Sequence, residues 1–288
     1  MSGQAITDIA AARSRRGLFA AALRSPGAAA GGVMLGLIVA LAVLSPVIGP
    51  HDPDAIGVCP SLSGPSSTCW LGADLYGRDL LARVMAGGRY SIAIGLLTLT
   101  LSMTAGSMIG LVLGYAGGRI DAWGARALDI LLGLPALVIA IMIVSLLGVG
   151  LVNVAIAVAL AQTPHYARVI RSATITLRSA LFIDAARAMG AHPVRIVLRH
   201  LLPNVMPTLI VIATLNLGDA ILATSTLSFL GLGAQPPTAE WGAMLADGQA
   251  FMRFAPGLMM FPGLAIFLTV ISINLLGNRL TRLLDPRS

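Results

Sequence analysis

Apolar positions along this chain come in long unbroken runs, separated by short stretches where arginine, aspartate, proline and glycine collect. Runs free of charged residues and histidine cover 25–50, 90–118, 130–164 and 254–278, which is 26, 29, 35 and 25 residues. A helix rises 1.5 Å per residue and crosses the hydrocarbon layer of a membrane in about 20 residues. The 35-residue run is too long for a single crossing, so it must reverse, and Gly148, Gly150 and Asn153 mark the turn. It supplies spans near 129–148 and 151–167. A further span starts after Pro203, passes Leu217 and reaches about Phe229, carrying a lone acid, Asp219. The pattern predicts an all-α membrane protein with six transmembrane helices. Barrel strands would instead alternate polar and apolar residues.

Composition agrees with that pattern and narrows the chemistry. Of 288 residues, 57% are hydrophobic and 11% charged, against roughly 25% charged in soluble domains; the mean hydropathy is +0.87. Aromatic residues make up 5%, so the apolar mass is small and aliphatic, which suits closely packed membrane helices. All 19 basic residues are arginine. Without lysine there is no G-x-x-x-x-G-K-[ST] phosphate loop, so nucleotide chemistry has to come from a partner. Cys59 and Cys69 are too few for a four-thiolate zinc site, and His51, His165, His192 and His200 lie far apart in sequence, so no metal is expected.

The arginines set the expected orientation, because short cytoplasmic segments retain positive charge. With the N-terminus inside, the inner segments hold 15 arginines and five acids. The outer segments hold four arginines and six acids. The formal charge of +7 thus reports topology, and no nucleic-acid partner is expected. The first run, at 26 residues, exceeds the 7–15 of a signal-peptide core, so it reads as an uncleaved span. The domain plan is then a cytoplasmic segment at 1–24, a first transmembrane helix at 25–50, and an extracytoplasmic loop at 51–89. A five-helix core follows at 90–285, including an inner loop at 168–203. In the outer loop Cys59 and Cys69 are open to a disulfide or to two free thiols. Asp79 and Arg83 are spaced i, i+4 beside an apolar side of Leu80, Leu81, Val84 and Met85. That spacing predicts a helix lying along the outer surface, as a docking surface or a structural edge.

The inner loop is the longest and most charged connection. From Phe182 to Pro203 it reads as an alanine-rich helix ended by Gly190, then a second helix started by Pro193 and stopped before Pro203. The small residues Ala185, Ala186 and Ala188 let the first helix lie close to another surface, with Asp184 and Arg187 offering polar contacts. Ile196, Val197, Leu201 and Leu202 can pack the second helix back on the membrane domain. Spacing alone leaves two readings, a docking hairpin and an amphipathic connector on lipid headgroups. Gly106, Gly110 and Gly114 in the second span, and Gly32 with Gly36 in the first, repeat every four residues and leave grooves for helix packing. Asp219 must face protein or water, because an isolated charge in a span costs about 2.5–3.5 kcal/mol. It either lines a path, attracting a cargo amino group, or bonds to Asn216, Ser225 or a partner subunit.

The loop Asp184-Ala185-Ala186-Arg187-Ala188-Met189-Gly190, closing on Leu201-Leu202-Pro203, resembles the EAA loop of ATP-binding-cassette (ABC) importer permeases, with Asp184 where glutamate is commoner. Leu71-Gly72-Ala73-Asp74-Leu75-Tyr76-Gly77-Arg78-Asp79, continuing to Arg89-Tyr90-Ser91, resembles a block of the C-type permease of dipeptide, oligopeptide and nickel importers. Ala73 and Ala82 stand there in place of the usual threonine and serine. Leu227-Ser228-Phe229-Leu230-Gly231-Leu232-Gly233, with Gln235-Pro236-Pro237 and Glu240-Trp241-Gly242, resembles the same family's outer loop, with Thr224 where glutamate is frequent.

The resemblance implies a non-catalytic permease subunit of the cell inner membrane that carries dipeptides or oligopeptides, or else nickel or glutathione. It implies a second homologous permease, two ATPase subunits that hold ATP and Mg, an extracytoplasmic binding protein, and coupling through Asp184, Ala185, Ala186, Arg187 and Gly190. No cofactor is expected on this chain. An ion-driven secondary transporter is the rival from another class. It calls for several intramembrane carboxylates or two matching halves, whereas the spans hold one acid and no repeat.

Overall fold

The computed structural model describes residues 26–284, with side chains described as far as residue 279. The expected segment 1–24, with Ser25, and the last four residues lie outside the described residues. The helices run in the order α1 (Pro26–Ile48), α2 (Leu80–Ala116), α3 (Gly118–Leu132), α4 (Ala136–Leu147), α5 (Leu151–Arg178), α6 (Leu181–Ala188) and α7 (Pro193–Ile196). A π turn at Val197–Leu201 leads into α8 (Leu202–Phe229), followed by α9 (Trp241–Gln249) and α10 (Gly257–Leu284). Among the described residues extended pairing is limited to one isolated bridge, Ala73 with Asp79.

Four stretches are long and apolar enough to cross a membrane alone: α1, α2, the continuous 37 residues Pro193–Phe229, and Gly257–Arg279. Helices α3 and α4 make a fifth only as a pair bent by 90°. The third span therefore differs from the expected 129–148. Its 12 residues in α4, at 1.5 Å each, are too short to cross. Pro135 stands at the N-cap of α4, where its fixed φ and missing N–H stop α3 from continuing. Helix α5 runs through the expected end at 167 to Arg178; its second half carries His165, Arg168 and Arg171, so the composition changes before the helix does.

The expected surface helix before the second span is instead the start of α2, which runs unbroken for 37 residues, about 55 Å. Asp79 caps its N-terminus, accepting from the Leu81 amide at 2.9 Å. Gly87 and Gly88 do not break the helix because Trp241 fills the space beside them; a Cβ at Gly88 would lie 2.9 Å from the indole. Leu80 and Met85 are buried, and Leu80 and Val84 pack with Trp241, Met244 and Leu258 rather than against lipid.

Helix α2 packs most extensively against α5, along the stripe Gly106, Gly110 and Gly114. A Cβ at Gly110 would stand 2.6 Å from the Ala167 carbonyl, and one at Gly114 would stand 2.7 Å from Thr174 Cβ. Only glycine lets the two backbones come this close. In α1 the expected pair is replaced. Gly31 faces α10, where a Cβ would meet Leu275 and Ser272 at 2.8 and 2.9 Å, while Gly36 faces open space.

Cys59 and Cys69 form a disulfide at one end of the bundle. There Arg83, 3% exposed, donates to the carbonyls of Pro53 at 3.0 Å and Pro237 at 3.3 Å and pairs with Asp54 at 3.2 Å. Asp79 pairs with His51 at 2.8 Å, so the expected Asp79–Arg83 pair is not made: the capping geometry turns the carboxylate back toward the chain start. His51, Cys69 and Asp79 do come together, but the disulfide uses the sulfur and the cap uses the carboxylate. Glu240 caps α9, accepting from Ala243 N at 2.9 Å and from the Ser91 hydroxyl at 2.9 Å. This ties α2, α8 and α9 into one block.

Candidate functional site

At the opposite end, α5 leads into a helical hairpin. Helix α6 has two faces. Ile183 and Ala186 are buried and join Leu111, Ile170, Ile196, Leu201 and Val205 in one apolar cluster. The other face is open, with Leu181 at 87% and Met189 at 81% exposure, alongside Ala185 and Ala188. Large exposed apolar residues beside charges mark an interaction surface.

Gly190 ends the helix at φ +77°, the left-handed conformation that glycine adopts without strain. The Ala191 amide donates back to the Ala186 carbonyl at 3.0 Å. His192 then caps α7, with Pro193 in its first turn.

Asp184 and Arg187 pair on the open face at 3.1 Å, and the Arg187 guanidinium lies 5.5 Å from the Tyr115 ring at the end of α2. Arg171 holds Asp121 of α3 through two bonds of 2.5 and 2.7 Å, and Arg168 pairs with Asp129. The hairpin thus joins a firmly braced end of the bundle.

The second arm of the hairpin does not stop before Pro203 as its sequence predicts. The π turn, closed by the Leu202 amide on the Val197 carbonyl, adds one residue to the ring and makes room where the proline ring would otherwise clash. The Asn204 side chain donates to the His200 carbonyl at 2.6 Å. Leu202 is partly buried and Pro203 exposed, and the end of the hairpin continues directly into α8.

Asp219 lies on α8, exposed toward a cavity of about 170 Å³ that it lines with Asn216 and, from α5, Gln162, His165 and Tyr166. Asn216 is the neighbour expected from the sequence. Ser225 is not; its hydroxyl lies 3.4 Å from Glu240. Three polar side chains at 162, 165 and 166 inside an apolar helix are a signal visible in the sequence, because their spacing places them on one face.

A second cavity, of about 100 Å³, sits at the disulfide end and is lined by Asp74, Arg78, Arg83 and Asp247 among others. Partial burial strips water from the charged form of Asp247 and raises its pKa above the ordinary range; Arg83 and Arg78 oppose the rise and the Asp74 charge adds to it. In the same cavity, Arg78 is held by Asp74 at 2.6 Å.

Comparison with known proteins adds to this geometry. Residues 106–288 match the family model described as binding-protein-dependent transport system inner membrane component. The chain is 40% identical over 266 residues to the glutathione transport system permease protein GsiD of Pectobacterium atrosepticum, covering 92% of this chain and 88% of that protein. It is 39% identical over 264 residues to the probable D,D-dipeptide transport system permease protein DdpC of Escherichia coli K12, covering 92% and 89%. Its fold matches a chain of the MetNI methionine ABC transporter in an inward-facing conformation, with a TM-score of 0.56 at 20% identity over 70% of this chain and 96% of that one.

Proposed function

This chain belongs to the family of binding-protein-dependent transport system inner membrane components and is a permease subunit of an ABC importer; from that premise we propose how it moves cargo and which residues do so. It is a multi-pass protein of the inner membrane. The observation that carries the mechanism is the hairpin α6–α7, anchored from within by Ile183, Ala186, Ile196 and Leu201 and bearing an open apolar face beside Asp184 and Arg187.

In this reading the open face docks on an ATPase subunit, with Asp184, Ala185, Arg187 and Gly190 at the contact and Ala186 holding the helix to the bundle. ATP and Mg are bound by two such partners. Their closure moves α6, and Leu202 and Pro203 pass the movement into α8. The spans of this chain and of a second, homologous permease then open the path alternately to either side. Both chain ends lie in the cytoplasm, six crossings include the bent α3–α4 pair and α5, and the disulfide block receives an extracytoplasmic binding protein. The chain itself performs no catalysis.

The cargo is a small peptide. Two relatives near 40% identity are named for glutathione and D,D-dipeptide transport, and both of those cargoes are peptides. Asp219 lies beside their path.

Gly190→Pro tests the coupling step, because proline holds φ near −65° where the hairpin needs +77°. The assembled importer carrying this change, or lacking Asp184–Gly190, is expected to insert normally and to lose ATP-dependent uptake. Uptake at the wild-type rate would show that the hairpin is not the coupler.

A further inference from the structure

The cavity between α5 and α8 contains more hydrogen-bonding capacity than the protein uses. Tyr166 is 1% exposed. Its hydroxyl interacts at most weakly with Asn216 and Ser102, outside strict hydrogen-bonding geometry, and Gln162 Oε1 likewise lacks a well-aligned partner; both atoms are closed off from solvent. Buried polar atoms are almost always paired, and these two line one cavity together with a carboxylate, Asp219, and the amide of Asn216. At about 170 Å³ the space exceeds a single water, whose share of liquid volume is about 30 Å³. The acidic group among the lining residues is the Asp219 carboxylate, and Gln162, Asn216, His165 and the phenol place neutral donors and acceptors around it. A carboxylate ringed by polar side chains in a cavity fits a ligand that carries a positive charge and N–H groups.

We propose that this cavity is the subsite that holds the free amino terminus of a peptide in transit. The Asp219 carboxylate balances the ammonium charge, Gln162 Oε1 accepts one of its N–H groups, and the Tyr166 hydroxyl donates to the first peptide carbonyl. The edge-on contact of His165 with Tyr166, ring centres 5.9 Å apart, steadies the phenol. Every unblocked peptide linked through α-carboxyls carries this ammonium and carbonyl pair, whatever its side chains, so such a site recognises that class without selecting a sequence; glutathione, linked through a γ-carboxyl, shares only the ammonium contact. The proposal rests on the reading of this chain as a peptide importer permease.

The test uses the complete importer, with its companion permease, ATPases and binding protein, in proteoliposomes supplied with ATP and with labelled dialanine or glutathione. Tyr166→Phe removes a hydroxyl that Asn216 and Ser102 engage only weakly, so a structural role predicts unchanged uptake and little change in thermal stability. The subsite predicts uptake of dialanine at least fivefold lower with ATP hydrolysis within twofold of wild type. Asp219→Asn is expected to lower uptake at least tenfold, and Asp219→Glu to restore part of it.

If the wild-type importer carries neither probe, the peptide reading fails and the subsite fails with it. If it carries either one and both Tyr166→Phe and Asp219→Asn stay within twofold, the subsite is overturned and the importer reading stands. If Asp219→Asn separates this chain from the second permease while Tyr166→Phe transports normally, the cavity is a subunit joint and the subsite is again overturned.

Discussion

The guanidinium of Arg83 is reached by two backbone carbonyls and by Asp54, with Asp74 at 3.6 Å, from segments that lie as far apart in sequence as Pro53 and Pro237. Breaking a fully buried charge pair costs about 3–5 kcal/mol; here Asp54 is 48% exposed and Asp74 keeps Arg78, so the loss is a fraction of that and falls mainly on the two carbonyls. Arg83→Met is therefore expected to lower the thermal midpoint of the purified complex by several degrees. Arg83→Lys should recover little of the loss, because an ammonium lacks the planar fork that serves several acceptors.

Asp247 behaves in the opposite way. Its carboxyl is raised by partial burial, so protonation is favoured more strongly in the folded protein than in the unfolded chain. That contribution is complete below the unfolded value and is lost as pH rises through the folded one. Asp247→Asn should thus stabilise the protein slightly at pH 7 and have a shrinking effect as pH falls toward 4, as read by thermal melts across that range. The effect is small because the side chain also meets solvent. Neither role was legible in the sequence: the i, i+4 spacing pointed Arg83 at Asp79, and only the folded loop shows that Asp79 is taken by the helix start and His51.

The interface of α2 with α5 was readable as a four-residue glycine repeat, since small residues at that spacing leave a groove whatever fills it. Its partner was not readable, because many apolar helices could enter the same groove. Gly110→Leu should abolish accumulation of folded protein, as the nearest obstacle is backbone, the Ala167 carbonyl at 2.6 Å, which cannot move aside as a flexible side chain does. Gly36→Ala is the matched control. Open space surrounds that position, and alanine favours a helix interior over glycine by about 1 kcal/mol, so expression and melting temperature should hold or rise. Gly36 belongs to the same kind of repeat, with Gly32, yet the close approach in α1 is made by Gly31, which lies outside that repeat. The hairpin was legible for a local reason: a helix-ending glycine followed by a proline opening a second helix is chain chemistry. The second arm was misjudged because a π turn, invisible in the residue pattern, carries the chain past Pro203.

As a whole the chain is an apolar bundle with a braced, arginine-rich end bearing the hairpin and a disulfide-bonded end closed around Arg83. Nothing in its 19 basic residues, all arginine, supplies the lysine of a phosphate-binding loop. The purified chain in proteoliposomes, without companions, is expected to hydrolyse no ATP and to move no dialanine down to the detection limit. Measured nucleotide-driven uptake by the isolated chain would refute the division of labour proposed for it.

The sequence by itself determined that this is a helical membrane protein, that a hairpin rich in arginine interrupts the apolar runs, and that it resembles ABC importer permeases. The first two follow from hydrophobic run length, arginine placement and turn residues, which act locally along the chain; the resemblance rests on the motif blocks around Asp184, Asp74 and Leu227. Tertiary structure alone decided the 90° bend between α3 and α4, the partners of Arg83, and the meeting of Gln162 and Tyr166 with Asp219. Each of these depends on which surfaces touch once the helices have packed, and a residue's neighbours across a bundle leave no periodic trace in its own sequence.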